Sequence, residues 1–566
     1  MRVDGKPEGL RQSMSWLHTW SGLLLGWLLY AVFFTGTLSY FVDEINVWMK
    51  PELHQSVPST STAGKAIAGM QQLAPAASTW TLNLPGERHP SVQASWRAKD
   101  AAPGRAGTQR AELDAATGEV IPVRETRGGS FLYRFHFELY AMPRIWARWI
   151  VGIATMFMLV AIISGVITHK KIFTDFFVFR SGKQQRSWLD AHNMTAILAL
   201  PFHIMITFSG LLLLMIMLMP WGASAVYEGD TRAYFNEMRG GNRPAAAAAE
   251  QPRRKHGEQT ESQAEGAVTM TPIAPLMAAA QQRWPERGVG AIVVNQPNTP
   301  RARIELRSQG GNSLINRGGS ERMVFDGITG AEMEAPAAKS VSTPTAIYNV
   351  LTAAHLGRFA EPLLRWLLFL SGVVGTLMAA TGMVLWVVKR LPERRKLART
   401  PRLHRLVEVL NVGSIAGLSI ATAAYFFANR LIPADAVQRS DMEIRSFFIV
   451  WLLCAVHGLL RSHRRAWAEQ LALAAVLFGS LPLLNAATGG LPLPAAMGAG
   501  LWSVAGFDLV ALVLAAIHGF AAFKLLRSPR PKPLPTPKAA PASALANGAG
   551  NGPGATLAPQ AQERPI

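Results

Sequence analysis

Residues 16–41 read WLHTWSGLLLGWLLYAVFFTGTLSYF, a run without Asp, Glu, Lys or Arg, long enough as a helix to cross a hydrocarbon core of about 30 Å. His18 stands near its start, and Gly36, in the pair Thr35-Gly36, follows 18 residues later. The arrangement has a second copy: His192 is followed 18 residues on by Gly210, in the pair Ser209-Gly210. The next apolar runs match too. Arg148-Trp149 precedes Ser164-Gly165 as Arg365-Trp366 precedes Thr381-Gly382, with 16 residues from Trp to Gly in each. His136 and His355 lie upstream of these two runs. Self-similarity on this scale reports one structural unit used twice, here helix, loop domain, returning helix.

The rest of the chain agrees with a membrane reading. Of 566 residues, 49% are hydrophobic and only 16% charged, too apolar for a soluble enzyme of this size. The formal charge is +20, but Lys and Arg fall in short clusters abutting apolar runs, which is the pattern of cytoplasmic loops and not of a nucleic-acid surface. No nucleic-acid partner is expected. The single cysteine, Cys454, excludes an intrachain disulfide and a thiolate metal cluster. Apolar stretches near 16–41, 146–168, 194–220, 362–388, 406–431, 445–460, 467–489 and 501–524 predict eight crossings, the seventh interrupted by Pro482 and Asn485. The first follows a basic start (Arg2, Lys6, Arg11) without a small-x-small cleavage site, so it is expected to remain as an anchor.

Orientation follows from the cations. Segments 170–186, 389–405, 461–465 and 524–538 hold five, eight, three and five Lys or Arg, whereas 432–444 and 490–500 hold one between them. Both termini are therefore expected in the cytoplasm of a Gram-negative-type cell, in its inner membrane, with loops 43–145 and 221–354 in the periplasm. Each loop shows β-type alternation ending in a turn with Asp and Gly four apart: Leu113-Asp114-Ala-Ala-Thr-Gly118 in one, Phe325-Asp326-Gly-Ile-Thr-Gly330 in the other. The expected fold is an all-α polytopic membrane bundle of about eight transmembrane helices, the first four as two parallel repeats, with two small α+β periplasmic insertions. Its parts are a tail and first span (1–42), the first insertion (43–145), spans two and three (146–220), the second insertion (221–354) with a mobile linker over 240–268, the fourth span and a basic loop (355–400), a C-terminal four-helix region (401–526) and a disordered tail (527–566).

Parallel repeats related by an axis along the membrane normal bring like to like. His18 would face His192 near the inner surface, and His136 would face His355 near the outer one. Two neutral imidazoles approaching from opposite sides are what a six-coordinate haem iron requires, with the other ring nitrogen fixed by a further partner. About two haem b groups are expected. An isolated interfacial histidine is more often an amphipathic anchor or a hydrogen-bonded helix end than a ligand; the symmetric placement of four argues for ligation. The glycines of the four small pairs (Gly36, Gly165, Gly210, Gly382) suit either close helix packing or room for a flat macrocycle.

His203 is not duplicated. It lies 11 residues after His192, on the same face of a continuous helix and about 16 Å deeper, where it would replace an outer ligand or bind a haem of its own. His169 beside Lys170 and Lys171 suits a headgroup or interface role, with ligation the alternative. His457 and His518, each before Gly, suit helix packing, an inner site or a quinone pocket. His54, His89, His256, His404 and His463 fall in loops or basic clusters and read as solvated. No dinucleotide fingerprint, Walker loop, His-Glu-x-x-His or nucleophile elbow opens a predicted helix. The cytoplasmic loops are too short for a flavin domain, so electrons would arrive from membrane quinol or a separate reductase.

The chain resembles the PepSY-associated transmembrane family of bacterial iron-uptake proteins, some of which are inner-membrane ferric-siderophore reductases. The likeness rests on Trp16-Leu-His18-Thr-Trp-Ser-Gly-Leu with Thr35-Gly36, on Phe135-His136, on Ser187-Trp-Leu-Asp-Ala-His192-Asn, on Ala354-His355-Leu-Gly-Arg-Phe and on the two Thr-Gly turns, across roughly 10–390. It implies haem-binding histidines at these positions and periplasmic reduction of a ferric siderophore or other chelate. The four helices of 401–526 exceed the minimal family unit. Two other classes stay open: a permease for an iron chelate or small solute, and a membrane-anchored regulatory protein whose PepSY-like domains bind a periplasmic partner. The lipid bilayer is a partner under each, and a homo-oligomer is compatible with all.

Overall fold

The computed structural model describes residues 9–101, 107–169, 174, 179–182, 185–230, 233–234, 268–310, 314–315, 320–334, 341–397 and 399–528. The linker expected at 240–268 (but for its last residue), the tail beyond Ser528, Lys170, Lys171 and His256 lie outside them. Residues up to Leu526 form one compact unit; of the second, 527–566, only Arg527 and Ser528 are described.

The chain is mostly helical. Its helices are α1 (Leu10–Leu38), α2 (Val42–Trp48), α3 (Thr62–Leu73), α4 (Gly128–Glu138), α5 (Arg144–Thr168), α6 (Gln185–Leu198), α7 (Leu200–Leu218), α8 (Trp221–Val226), α9 (Ile273–Arg283), α10 (Thr343–Leu356), α11 (Pro362–Arg395), α12 (Arg402–Leu431), α13 (Arg439–Leu460), α14 (His463–Ala487), α15 (Leu493–Gly498) and α16 (Trp502–Arg527). Eight candidate membrane spans result, the first continuous over Leu10–Trp48 and the others α5, α7, α11, α12, α13, α14 and α16. Leu363, Leu452, Val476 and Phe520 are exposed on four of them, as expected of helices that meet lipid and satisfy their own backbone. α1 lies against α5 and α11, α6 against α11, and α7 against α5 and α10. α12, the most enclosed span, packs on α13 and α14 and touches α1 and α11.

The third crossing departs from the sequence reading. The run expected at 194–220 is two helices, α6 and α7, broken at Ala199 (φ −115°, ψ 26°) just before Pro201. Proline cannot donate the backbone hydrogen bond a continuous helix requires, and its ring crowds the preceding turn. His192 and His203 therefore stand on different helices, and the argument from three turns of one helix does not hold.

The two loops supply β1 (Ala77–Asn83), β2 (Val92–Ala98), β3 (Thr108–Leu113) and β4 (Val120–Ile121), then β5 (Val289–Asn295), β6 (Arg303–Ser308), β7 (Arg322–Asp326) and β8 (Glu332–Met333). They do not form two separate sheets. One antiparallel sheet of eight runs β4-β3-β2-β1-β5-β6-β7-β8, with β1 and β5 paired in the register Trp80↔Val294 and Leu82↔Ile292. Joining the halves satisfies two rows of backbone groups that separate domains would leave as open edges. One face is apolar, with Trp80, Leu82, Ile292 and Val294 buried under Ala66 and Met70 of α3 and Leu276 and Ala280 of α9. The two turns form as read. Asp114 Oδ1 accepts from the amides of Ala116 and Thr117, Asp326 Oδ1 from those of Ile328 and Thr329, and Gly118 and Gly330 take the left-handed φ of 80° and 74° that closes each hairpin.

Candidate functional site: two facing pairs of histidines

His18 on α1 and His192 on α6 come together with ring centroids 6.1 Å apart. His136 on α4 and His355 on α10 do the same, also at 6.1 Å, at the end of the bundle that carries the sheet. Two imidazoles on opposite sides of one metal, each with a metal–nitrogen bond of about 2 Å and about 1 Å from that nitrogen to its ring centre, have centroids about 6 Å apart. The observed spacing fits that arrangement.

Each ring is held by one nitrogen. The Nδ1 of His18 donates to the Ala161 carbonyl (2.8 Å), that of His136 to Val32 (2.7 Å) and that of His192 to Met378 (3.0 Å). His355 Nδ1 donates to Ser209 Oγ (2.9 Å), whose own hydroxyl goes to the Met205 carbonyl. A carbonyl can only accept, so Nδ1 carries the proton and Nε2 presents its lone pair. Among the described residues none of these four Nε2 atoms has a hydrogen-bond partner.

The small pairs of the sequence explain this geometry. Gly165, Gly36 and Gly382 stand four residues after Ala161, Val32 and Met378. In a helix the side chain four residues on covers a carbonyl; glycine uncovers it, and the second lone pair of the oxygen is free to accept. A Cβ at Gly36 would stand 2.6 Å from His136, and at Gly165, Gly210 and Gly382 it would stand 3.1, 3.1 and 3.0 Å from His18, His355 and His192. The glycines make room for the facing imidazoles, an answer that neither close helix packing nor space for a macrocycle had anticipated.

A cavity of about 630 Å³ opens at the sheet end, lined by His136 and His355, by Gly36 and Gly210, and by Arg148 and Arg358. This is within the range of small-molecule and cofactor sites, about 300–1,000 Å³. Burial lowers the His136 ring from its usual value and, with the facing His136 adding to it, takes His355 down to about 3, so both rings are neutral, the form that ligates. Among the described residues no cluster of three or more His, Cys, Asp or Glu is placed to hold a metal ion by itself. A haem iron asks the protein for two nitrogens, and two such pairs are present.

His203 lies between the pairs in depth. Its Nε2 stands 3.2 Å from where a Cβ on Gly375 would be, and Gly375 falls on α11 between Gly372 in the outer cavity and Gly382 against His192. The ring is fully buried beside Phe33, and among the described residues neither nitrogen has a partner at hydrogen-bond geometry. His169 joins neither pair; its Nε2 accepts from Asn193 Nδ2 at 3.0 Å. His457 pairs with Glu469 (2.7 Å), and His518 donates to the Leu514 carbonyl. The solvated reading fails for His54 and His404, which are buried. His54 accepts from the Leu491 amide and donates to the Val47 carbonyl, and burial lowers it to about 4; His404 sits 3.5 Å from buried Glu408. Both are folded inward by the C-terminal helices, whose packing the sequence pattern did not reveal. Sequence reasoning also passed over Tyr40, Arg88 and Arg358 in the outer cavity, although Tyr40 lies at the end of the first apolar run and Arg358 in the Ala354-His355 motif.

The fold and site define a polytopic membrane protein with two facing pairs of histidines in its helical part and one antiparallel sheet. It belongs to the family described as the PepSY-associated TM region, whose model matches residues 15–389. That match ends within α11, so the four C-terminal spans lie beyond it. No curated protein matches the chain.

Proposed function

We propose that this chain is a haem-dependent oxidoreductase of the bacterial inner membrane. Electrons from quinol or a separate reductase on the cytoplasmic side pass to a ferric siderophore or other iron chelate on the periplasmic side. The observation that supports this reading is the pair of 6.1 Å histidine contacts, both with Nδ1 engaged and Nε2 free. Both termini are then cytoplasmic, the sheet is periplasmic, and the two units of helix, half-sheet and helix are parallel repeats about an axis along the membrane normal.

Bound between each pair, haem b supplies a one-electron ferric/ferrous couple. His18 and His192 would hold one group and His136 and His355 the other. Ala161, Val32, Met378 and Ser209 fix the tautomer and the plane of each ring and raise its basicity. Leu29, Phe33, Met158 and Phe202 line the cavity with apolar surface and keep water from the ligating nitrogens. At the outer face the substrate is ferric iron in a chelate; its reduction lowers the charge that hard oxygen donors favour, and the iron is released.

The test is the visible spectrum of the purified protein, oxidised and then reduced with dithionite. Haem bands are expected, with about half the haem lost in His18→Ala and about half in His136→Ala. A colourless preparation from haem-replete cells, or unchanged haem content in both variants, refutes the reading.

A further inference from the structure

Three hydrogen-bond donors around the outer cavity have no acceptor among the described residues. The Tyr40 hydroxyl is buried and unpartnered, on a residue only 8% exposed. Arg148 gives Nη2 to Glu138 at 2.5 Å, but its Nε is buried and unpartnered. Arg358, exposed at the rim, meets no carboxylate. A buried polar group left unpaired costs about 1–3 kcal/mol, so the Tyr40 hydroxyl and Arg148 Nε, kept in this state at a cavity, point to an acceptor that binds there.

Their placement is built into the fold. Gly357 closes α10 immediately after the His355-Leu356 pair, in the left-handed conformation at φ 61°. A Cβ there would come within 2.7 Å of the Tyr40 ring, so the absence of a side chain lets that ring lie against the turn. The Tyr40 ring thus lies against the turn that joins His355 to Arg358, and all three residues line the cavity. Across the cavity, Arg148 is steadied by Glu138 at the end of the helix that carries His136. The remaining lining charges are paired: Arg88 meets Asp43 (2.7 Å) and Glu44 (2.6 Å), and Glu44 is also reached by Arg365 (3.5 Å). The uncommitted charge at the mouth is positive, and its donors are the planar guanidinium and phenol groups that suit carboxylates.

We propose that the mouth of the outer cavity is a carboxylate-binding site, with Tyr40 and Arg358 on one side and Arg148 on the other, for an anion bearing at least two carboxylates. Two sources share that chemistry: the propionates of a haem seated between His136 and His355, and the carboxylates of a ferric chelate docking from the sheet side. The first source rests on the function proposed above; the second does not.

The full-length protein, prepared without haem in a His18→Ala background so that the outer site is read alone, is titrated with iron protoporphyrin IX and with its dimethyl ester. Before substitution the free acid is expected to bind more tightly than the ester. Tyr40→Phe and Arg358→Gln each weaken the free acid by about tenfold, the size of one lost charge-assisted hydrogen bond, while ester binding is unchanged, which also shows that the variants fold. Arg358→Lys restores most of the loss. In a second arm ferric citrate is titrated into the protein with and without the two substitutions. A loss confined to citrate assigns the site to the chelate and upholds the proposal. Free-acid and citrate affinities both insensitive to the substitutions overturn it. If neither porphyrin binds, the haem reading fails, and the mouth stands or falls on whether the two substitutions weaken citrate.

Discussion

α4 and α10 perform the same task, each setting a histidine ring over a glycine of a neighbouring span, yet they are held very differently. On α4, Phe131, Leu132 and Phe135 are buried, with Phe131 5.1 Å from Tyr425 and 5.2 Å from Phe447, and Phe135 6.1 Å from Trp451. Its entry is tied by polar contacts to the same helices. The Tyr425 hydroxyl donates to the Gly128 carbonyl (3.0 Å), Thr126 Oγ1 to Glu443 (2.6 Å), and Arg439 to the Glu125 carbonyl (2.9 Å) while ion-paired with Glu443. On α10 only Thr345 and Thr352 are buried, Ile347 is 57% exposed, and the histidine leans on α7 through Ser209. Every partner of α4 named here lies on α12 or α13, beyond the residues the family model matches. The comparison teaches what those added helices do: they buttress α4, which also packs on α1, α2 and α5, while α10 leans mainly on α7.

The largest effect expected from this difference is at Glu443. Arg439 and Glu443 are both fully buried, and removing one charge strands the other at a cost of about 3–5 kcal/mol. Glu443→Gln should lower the thermal midpoint by many degrees. On α10, Asn349→Ala, which removes a bond from Asn349 Nδ2 to the Ile315 carbonyl at an exposed position, should cost no more than about 0.5 kcal/mol. Equal losses would break the comparison. Acid is the next lever, through His54, which ties the exit of the first span to the loop before α15. Its folded pKa of about 4 lies below the usual 6.5, so between those values the unfolded chain binds the extra proton and stability falls as pH drops. The full loss, about 3 kcal/mol, is reached below pH 4, and none is present above about 7. Protonating Nδ1 would set N–H against the Leu491 amide. Unfolding midpoints measured from pH 7.5 to 4.5 should show this limb in the native chain and not in His54→Gln. A smaller loss, about 1–3 kcal/mol, is expected for Tyr425→Phe, which leaves the Gly128 carbonyl buried without its donor; a midpoint equal to that of the native protein would mean that α4 is held by packing alone.

Much of this was legible in residue spacing. The eight runs became eight spans because apolar length is the one quantity a bilayer demands. The 18-residue and 16-residue spacings put four histidines opposite four glycines because such intervals place them at corresponding depths on antiparallel helices. The two Asp-to-Gly turns were readable because their chemistry is local. What escaped was set by contacts distant in sequence. No pattern within either loop reveals that β1 pairs with β5, and nothing around Arg439 signals that it reaches the Glu125 carbonyl. Tyr40 looked like one more aromatic at a span end until Gly357 brought the turn against it.

The smallest effect, and the sharpest question about the two-pair arrangement, is at His203, beyond the reach of both α4 and α10. The reading that placed it on one face with His192 assumed a continuous helix, and the break at Ala199 removes that assumption. The ring is buried, and among the described residues neither nitrogen has a partner at hydrogen-bond geometry, so it carries the desolvation cost of a polar group with little return from hydrogen bonding. Replacing such a group by an apolar one of similar size is close to neutral or stabilising. His203→Leu should therefore leave the thermal midpoint unchanged or raise it by the equivalent of about 1 kcal/mol, with the haem content of the purified protein unchanged. Loss of one haem from this variant would make His203 an axial ligand. One of the four matched histidines would then lose its assignment, and the symmetry between α4 and α10 would go with it.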